Sequence, residues 1–106
     1  MTVGGIRRGT TPTHTFGVDL DLRDAIVFVH YTQNGIVIVE KTGKDVITDE
    51  ESITVTLSQQ ETLKFEANVP VCIQISYVLQ DGTADKSNVI VLMANETLKD
   101  GEMPYV

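Results

Sequence analysis

Residues 25 to 41 read AIVFVHYTQNGIVIVEK, and this stretch decides the fold. Its first half, Ala25 to Thr32, is β-branched and aromatic, the composition of a strand covered on both faces or of an inner strand of a sandwich. Asn34-Gly35 follows. Both central residues of a type I′ turn need positive φ, which Asn and Gly tolerate, so this pair marks a two-residue hairpin. Ile36 to Lys41, IVIVEK, returns as the partner strand. A turn at that place sets His30 opposite Val39.

The hairpin extends in both directions. Downstream, TGKD makes a second turn, Val46 to Thr48 can form a short edge strand, and DEES is an acidic turn. From Ser52 to Leu57 the chain alternates, with Ile53, Val55 and Leu57 inward and Thr54 and Thr56 outward. Ser58 and Glu61 have capping-box spacing, which predicts one helical turn ending near Phe65, with Leu63 and Phe65 plugging the open end of the core. After the break ANVP, Val71, Ile73, Ile75, Tyr77 and Leu79 alternate with Cys72, Gln74 and Ser76 in a long strand. Asp81-Gly82 predicts a second two-residue hairpin. Thr83 to about Met93 is the last strand, and NETLKDG can form a helical turn stopped at Gly101. Upstream, His14, Phe16, Val18, Leu20 and Leu22 share one side of an extended segment.

The expected organisation is a flexible or draped N-terminal arm over residues 1–12, a single domain over 13–100 and a C-terminal tail over 101–106. Nothing alternates strand with long helix, which excludes a parallel α/β sheet. Short strands at regular spacing with turn signals predict an all-β chain: an Ig-like antiparallel β-sandwich of about seven strands with one or two short helical turns.

The totals narrow the function. The chain has 106 residues, 42% of them hydrophobic, which suits one domain with a real core. Its net charge of -7 argues against nucleic acid and favours solubility or docking to a basic partner surface. No window approaches the roughly 18 apolar residues of a membrane helix, and no apolar run follows Met1. The single cysteine, Cys72, excludes an internal disulfide.

No catalytic constellation emerges. GGIRRG, at residues 4–9, lacks P-loop spacing and precedes a strand, so it offers no helix N-terminus to an anion. His14 reads as a strand-end histidine at the rim of the core. His30 reads as a packed, hydrogen-bonded histidine. Two histidines and one cysteine, none at ligand spacing, leave no zinc site. Asp19, Asp21 and Asp24, with Asp49, Glu50 and Glu51, are oxygen-rich, but the D-x-D-x-D-G calcium loop is missing. A hydrolytic carboxylate pair would need contrasting environments, which no feature supplies. There is no G-x-S-x-G elbow, and Cys72 in its strand reads as a structural thiol. There is no Trp to build a carbohydrate platform, and Tyr31 and Tyr77 fall in strands, where packing explains them. The expectation is a chain without enzyme activity, metal or cofactor.

The order of segments resembles a known family. IRRGTTPTHTFGVDLDL, VFVHYTQNGIVIVEKT, ITVTLSQQETLKF, VCIQISYVLQDGTADKSNVI and ETLKDG together resemble small structural proteins of tailed phages and prophages of Gram-positive bacteria. They are similar to the N-terminal β-sandwich domain of phage baseplate upper proteins, with its "D-L" step, its "Q-x-G" hairpin, a segment like VTLSQQE, and a final "D-G-T" hairpin followed by "S-N". The similarity spans about residues 6 to 100. The resemblance implies virion architecture: a subunit assembled in the bacterial cytoplasm that docks onto capsid, connector or tail-baseplate proteins, in symmetric copies or as a homo-oligomer. Here the chain ends after the sandwich, with no coiled-coil or receptor-binding part behind it, so head decoration, neck and tail-tube accessory roles stand beside the baseplate. Under that reading the arm straps onto a neighbour, with Arg7 and Arg8 as the assembly contact against carboxylates. The alternative is an Ig-like module that recognises host cell-surface carbohydrate.

Overall fold

The computed structural model describes residues 6–86 and the backbone of residues 90–95. Among the described residues, nine strands, one short α-helix and one 3-10 turn (Gly43–Asp45) follow in order: β1 (Ile6–Arg7), β2 (Thr13–Gly17), β3 (Ile26–Gln33), β4 (Ile36–Thr42), the 3-10 turn, β5 (Val46–Thr48), β6 (Ser52–Thr56), α1 (Gln59–Thr62), β7 (Pro70–Val78), β8 (Ala84–Lys86) and β9 (Ile90–Asn95). The larger sheet runs β1-β9-β7-β3-β4, with β8 also on β7, and the smaller runs β2-β6-β5. The two sheets form an Ig-like β-sandwich. All pairings are antiparallel except β1 with β9, which is parallel. The count exceeds seven because β1 is added and the expected last strand is described as β8 and β9.

The core lies between the sheets. Val27, Val29 and Tyr31 of β3, Ile53 and Val55 of β6, and Val71, Ile73 and Ile75 of β7 are buried, in the alternation that period two demands. Leu57 and Phe65 close one end, and Leu22 is buried with them. The capping box forms as read: Ser58 Oγ accepts from Glu61 N, and Glu61 Oε1 accepts from Ser58 N. Gln33, buried at the end of β3, donates to the carbonyls of Glu66 and Val69 and accepts from Glu66 N, which fixes the connection into β7.

Four local expectations are corrected. Asn34 and Gly35 both have positive φ, 53° and 76°, as the turn requires. However, the register shifts between Tyr31 and Thr32, so His30 faces Glu40 and Tyr31 faces Val39. A β-bulge places one extra residue on β4 and moves every later pair by one. The second hairpin is not a two-residue turn. Gly82 N donates to Leu79 O, Leu79 N donates to Thr83 O, and only Gly82 of the loop takes positive φ, 91°. That is a three-residue Gln80-Asp81-Gly82 loop with glycine at the left-handed position.

The third correction concerns β2. It ends at Gly17, although the alternation runs on to Leu22. Asp21 accepts from the backbone N–H of Arg23 and from its guanidinium, and this local bonding turns the chain out of the sheet. Leu20 is left exposed while Leu22 returns to the core.

The fourth is the arm. Ile6 has no exposed surface and belongs to the core, and β1 hydrogen-bonds along β9. Gly9 N and Thr10 N donate to Thr62 Oγ1 of α1 at 3.0 and 3.1 Å. Pro12 O accepts from Leu57 N. Residues 6–12 are therefore draped on the sandwich as a structural element and are not a free arm. Without a second phase of apolar residues, periodicity does not mark a two-residue strand. The predicted turn ending at Gly101 and the tail over 101–106 lie outside the described residues.

Candidate functional site

The two arginines part company. Arg7 is exposed. Arg8 is half-buried and its Nη2 donates to Leu63 O at 3.2 Å, so it ties β1 to the end of α1. Of the pair, Arg7 is the one whose side chain is presented to solvent.

The histidines lie on different sheets. His14 is the second residue of β2, opposite Val55, and is half-buried with its ring toward the core. Its Nδ1 is 2.8 Å from the hydroxyl of Tyr31. The rings of Phe16 and Tyr31 stand 6.2 and 5.7 Å away. Burial lowers its pKa, because the imidazolium loses hydration there. Tyr31 has no exposed surface, and its phenol is pushed well above the usual range by burial and by the negative charge of Glu61. Glu61 is itself held below the carboxylate range: burial opposes ionisation, but Lys41 at 2.7 Å and the Ser58 N–H outweigh it. This cluster joins β2 to β3 across the space between the sheets.

The carboxylates gather where residues 18–25 and 49–51 meet. Arg23 bonds Asp21 at 2.6 Å and lies 3.6 Å from Glu50. Hydrogen bonds from Arg23 hold the Asp21 carboxyl below its usual range. Among the described residues, no three His, Cys, Asp or Glu side chains are grouped to hold a metal ion. Beside them opens a cleft of about 610 Å³ lined by Phe16, Val18, Leu22, Ile75, Tyr77 and Asp19, among others.

A surface that sequence reasoning passed over is the outer face of the larger sheet. Register puts Ile26, Phe28, His30 and Thr32 of β3 on one side with Val78, Ser76, Gln74 and Cys72 of β7. Val37 and Glu40 of β4 share that side, as do Ala84 and Lys86 of β8. Ile26 is 59% exposed and Val37 52%. Phe28 lies against His30 with the rings 9° from parallel, and His30 Nε2 is 2.6 Å from Glu40 Oε2. A groove of about 490 Å³ runs past Phe28, Val78 and Ala84. The opposite outer face differs. There Thr13 bonds Thr56, and Thr15 bonds Thr54, hydroxyl to hydroxyl at 2.9 and 3.2 Å. The signal for the apolar face was in the sequence: AIVFV and IVIV are apolar in both phases of the strand period.

No protein-family model matches the sequence, and no curated protein matches it. Among solved structures, the chain is similar to the V domain of amphioxus IgVJ-C2, at 10% identity, with 84% of this chain and 96% of that chain covered and a TM-score of 0.34.

Proposed function

We propose that the chain is a structural subunit of a phage virion, an accessory or adaptor of capsid, neck or tail-baseplate that works through protein–protein contact and catalyses nothing. The observation that carries this reading is the outer face of the larger sheet. It pairs exposed Ile26 and Val37 with a charge-poor middle, the composition of an interface core rather than of an open surface. The order of motifs shared with baseplate upper proteins supports the virion placement. Assembly then takes place in the bacterial cytoplasm. Contact by Arg7 with carboxylates of a neighbouring virion protein fits its exposure.

The test is mass spectrometry of density-purified virions from the strain that carries the gene. Peptides of this chain banding with particles at a fixed ratio to the major capsid protein are expected. Their absence from particles, with the protein present in the lysate, would refute the placement.

A second reading is recognition of host cell-surface carbohydrate. Phe16, Tyr77 and Asp19 line one cleft, which brings rings and a carboxylate together. Saturable binding of cell-wall polysaccharide, lost on Tyr77→Ala, would favour it.

A further inference from the structure

We propose that the outer face of the larger sheet is covered by a second copy of this chain, in an isologous two-fold dimer. This rests on reading that face as a contact surface and names its occupant. Three observations carry it.

The first is the strand composition. β3 carries Ile26 and Phe28 on its outer face as well as an apolar inner face, and only the inner face is packed by the other sheet. Ile26 is left 59% exposed on the outer side, so the sequence is written for a cover that the described residues do not supply.

The second is charge. A chain of net charge -7 repels its own copy unless the contact avoids the acidic groups. Asp19, Asp21, Asp24, Asp49, Glu50 and Glu51 all lie in the loops between strands, outside this face. The face itself carries Glu40, bonded to His30, and Lys86, and Asp85 also lines its groove. Its charges are few and of both signs, so two copies can meet there with fewer like-charge contacts than at the acidic loops.

The third is area. β4, β3, β7 and β8 across, at about 4.8 Å per strand, and eight residues of β3 along, at about 3.3 Å each, give a face of roughly 500 Å². Two such faces bury about 1,000 Å², the low end of what a specific, exchanging interface needs.

The experiment is sedimentation equilibrium on the full chain from about 1 to 500 μM, for wild type, Ile26→Asp, Val37→Asp and Ile47→Asp. Ile47 is 68% exposed but lies on the smaller sheet, opposite Thr54. A monomer–dimer equilibrium is expected, weakened at least tenfold by Ile26→Asp and by Val37→Asp and left unchanged by Ile47→Asp. Circular dichroism checks that the variants fold, which their exposed positions favour. A monomer at every concentration overturns the proposal. So does an oligomer that loses its affinity with Ile47→Asp instead. A monomer that still bands with virions removes the second copy and leaves the assembly reading standing. A dimer with the expected variant pattern supports the proposal even if the chain is absent from particles.

Discussion

Replacing Thr62 by valine removes one oxygen from the centre of the N-terminal attachment. The Thr62 hydroxyl accepts from Gly9 N at 3.0 Å and Thr10 N at 3.1 Å, and lies 2.8 Å from Thr10 O and 3.1 Å from Gln59 O. Thr62 has no exposed surface. Valine keeps the branched shape, and its helix propensity is close to that of threonine. What changes is the satisfaction of two backbone N–H groups. An unpaired buried donor costs about 1–3 kcal/mol, and because the Thr10 bond is only part-buried the two together cost roughly 2–5 kcal/mol. That is a large part of the ~5–15 kcal/mol that holds a domain of this size. With a urea slope of about 1.5 kcal/mol per molar, the midpoint falls by roughly 1.5–3 M at unchanged slope. Equilibrium unfolding followed by circular dichroism reads this directly, with Thr13→Val as the exposed control. A shift under about 0.3 M would refute the reasoning, because it would mean that residues 9 and 10 take no support from α1.

Ile6→Ala, at a position with no exposed surface, is expected to lose about 2–5 kcal/mol in the same assay; a loss below about 0.5 kcal/mol would return residues 1–12 to the status of a free arm. Gly82→Ala forces a side chain into φ 91° and is expected to cost about 1–2 kcal/mol, although nothing stands near the added methyl; an unchanged midpoint would contradict the loop geometry. His14 has a folded pKa below 6.5, so the unfolded chain binds the proton first; its contribution is complete above pH 6.5 and declines as pH falls below it. An NMR titration placing the His14 midpoint at or above 6.5 would contradict this. Tyr31 has the opposite sign of dependence. Its folded pKa is raised, so its contribution is complete below pH 10 and is lost as pH climbs beyond. Absorbance at the phenolate band should show one of the three tyrosines resisting ionisation until the protein unfolds.

What was legible in the sequence was local. Asn34-Gly35 announces its turn because two positive φ angles leave few other residues, and Ser58 with Glu61 announces a helix start because both partners lie within one turn. The alternation of β6 and β7 follows from one buried face each. What was illegible depended on distant partners. Ile6 pairs with Ala94 at the other end of the chain, and two residues carry no period to betray it. The bulge on β4 leaves IVIVEK unchanged as a string of strand formers, yet it moves Glu40 onto His30 and so sets the His30–Glu40 contact on that face. His14 read as a rim residue because its partner, the Tyr31 hydroxyl, comes from the facing sheet.

The candidate surface was legible in a different sense. AIVFV was read as a strand covered on both faces, while β3 packs its inner face and leaves Ile26 and half of Phe28 without a matching layer among the described residues. The smaller sheet offers the comparison. Its outer face pairs Thr13 with Thr56 and Thr15 with Thr54, and leaves Ile47 exposed beside Thr54. Two outer faces built by the same strand period differ in degree: the smaller is mostly threonine around Ile47, and the larger carries Ile26, Phe28, Val37 and Val78. A threonine face needs no partner. Exposed isoleucine and valine add nothing to the monomer's own core. On the reading proposed above, a second copy supplies the outer layer of β3, and the Ile26→Asp and Val37→Asp variants are the test of it.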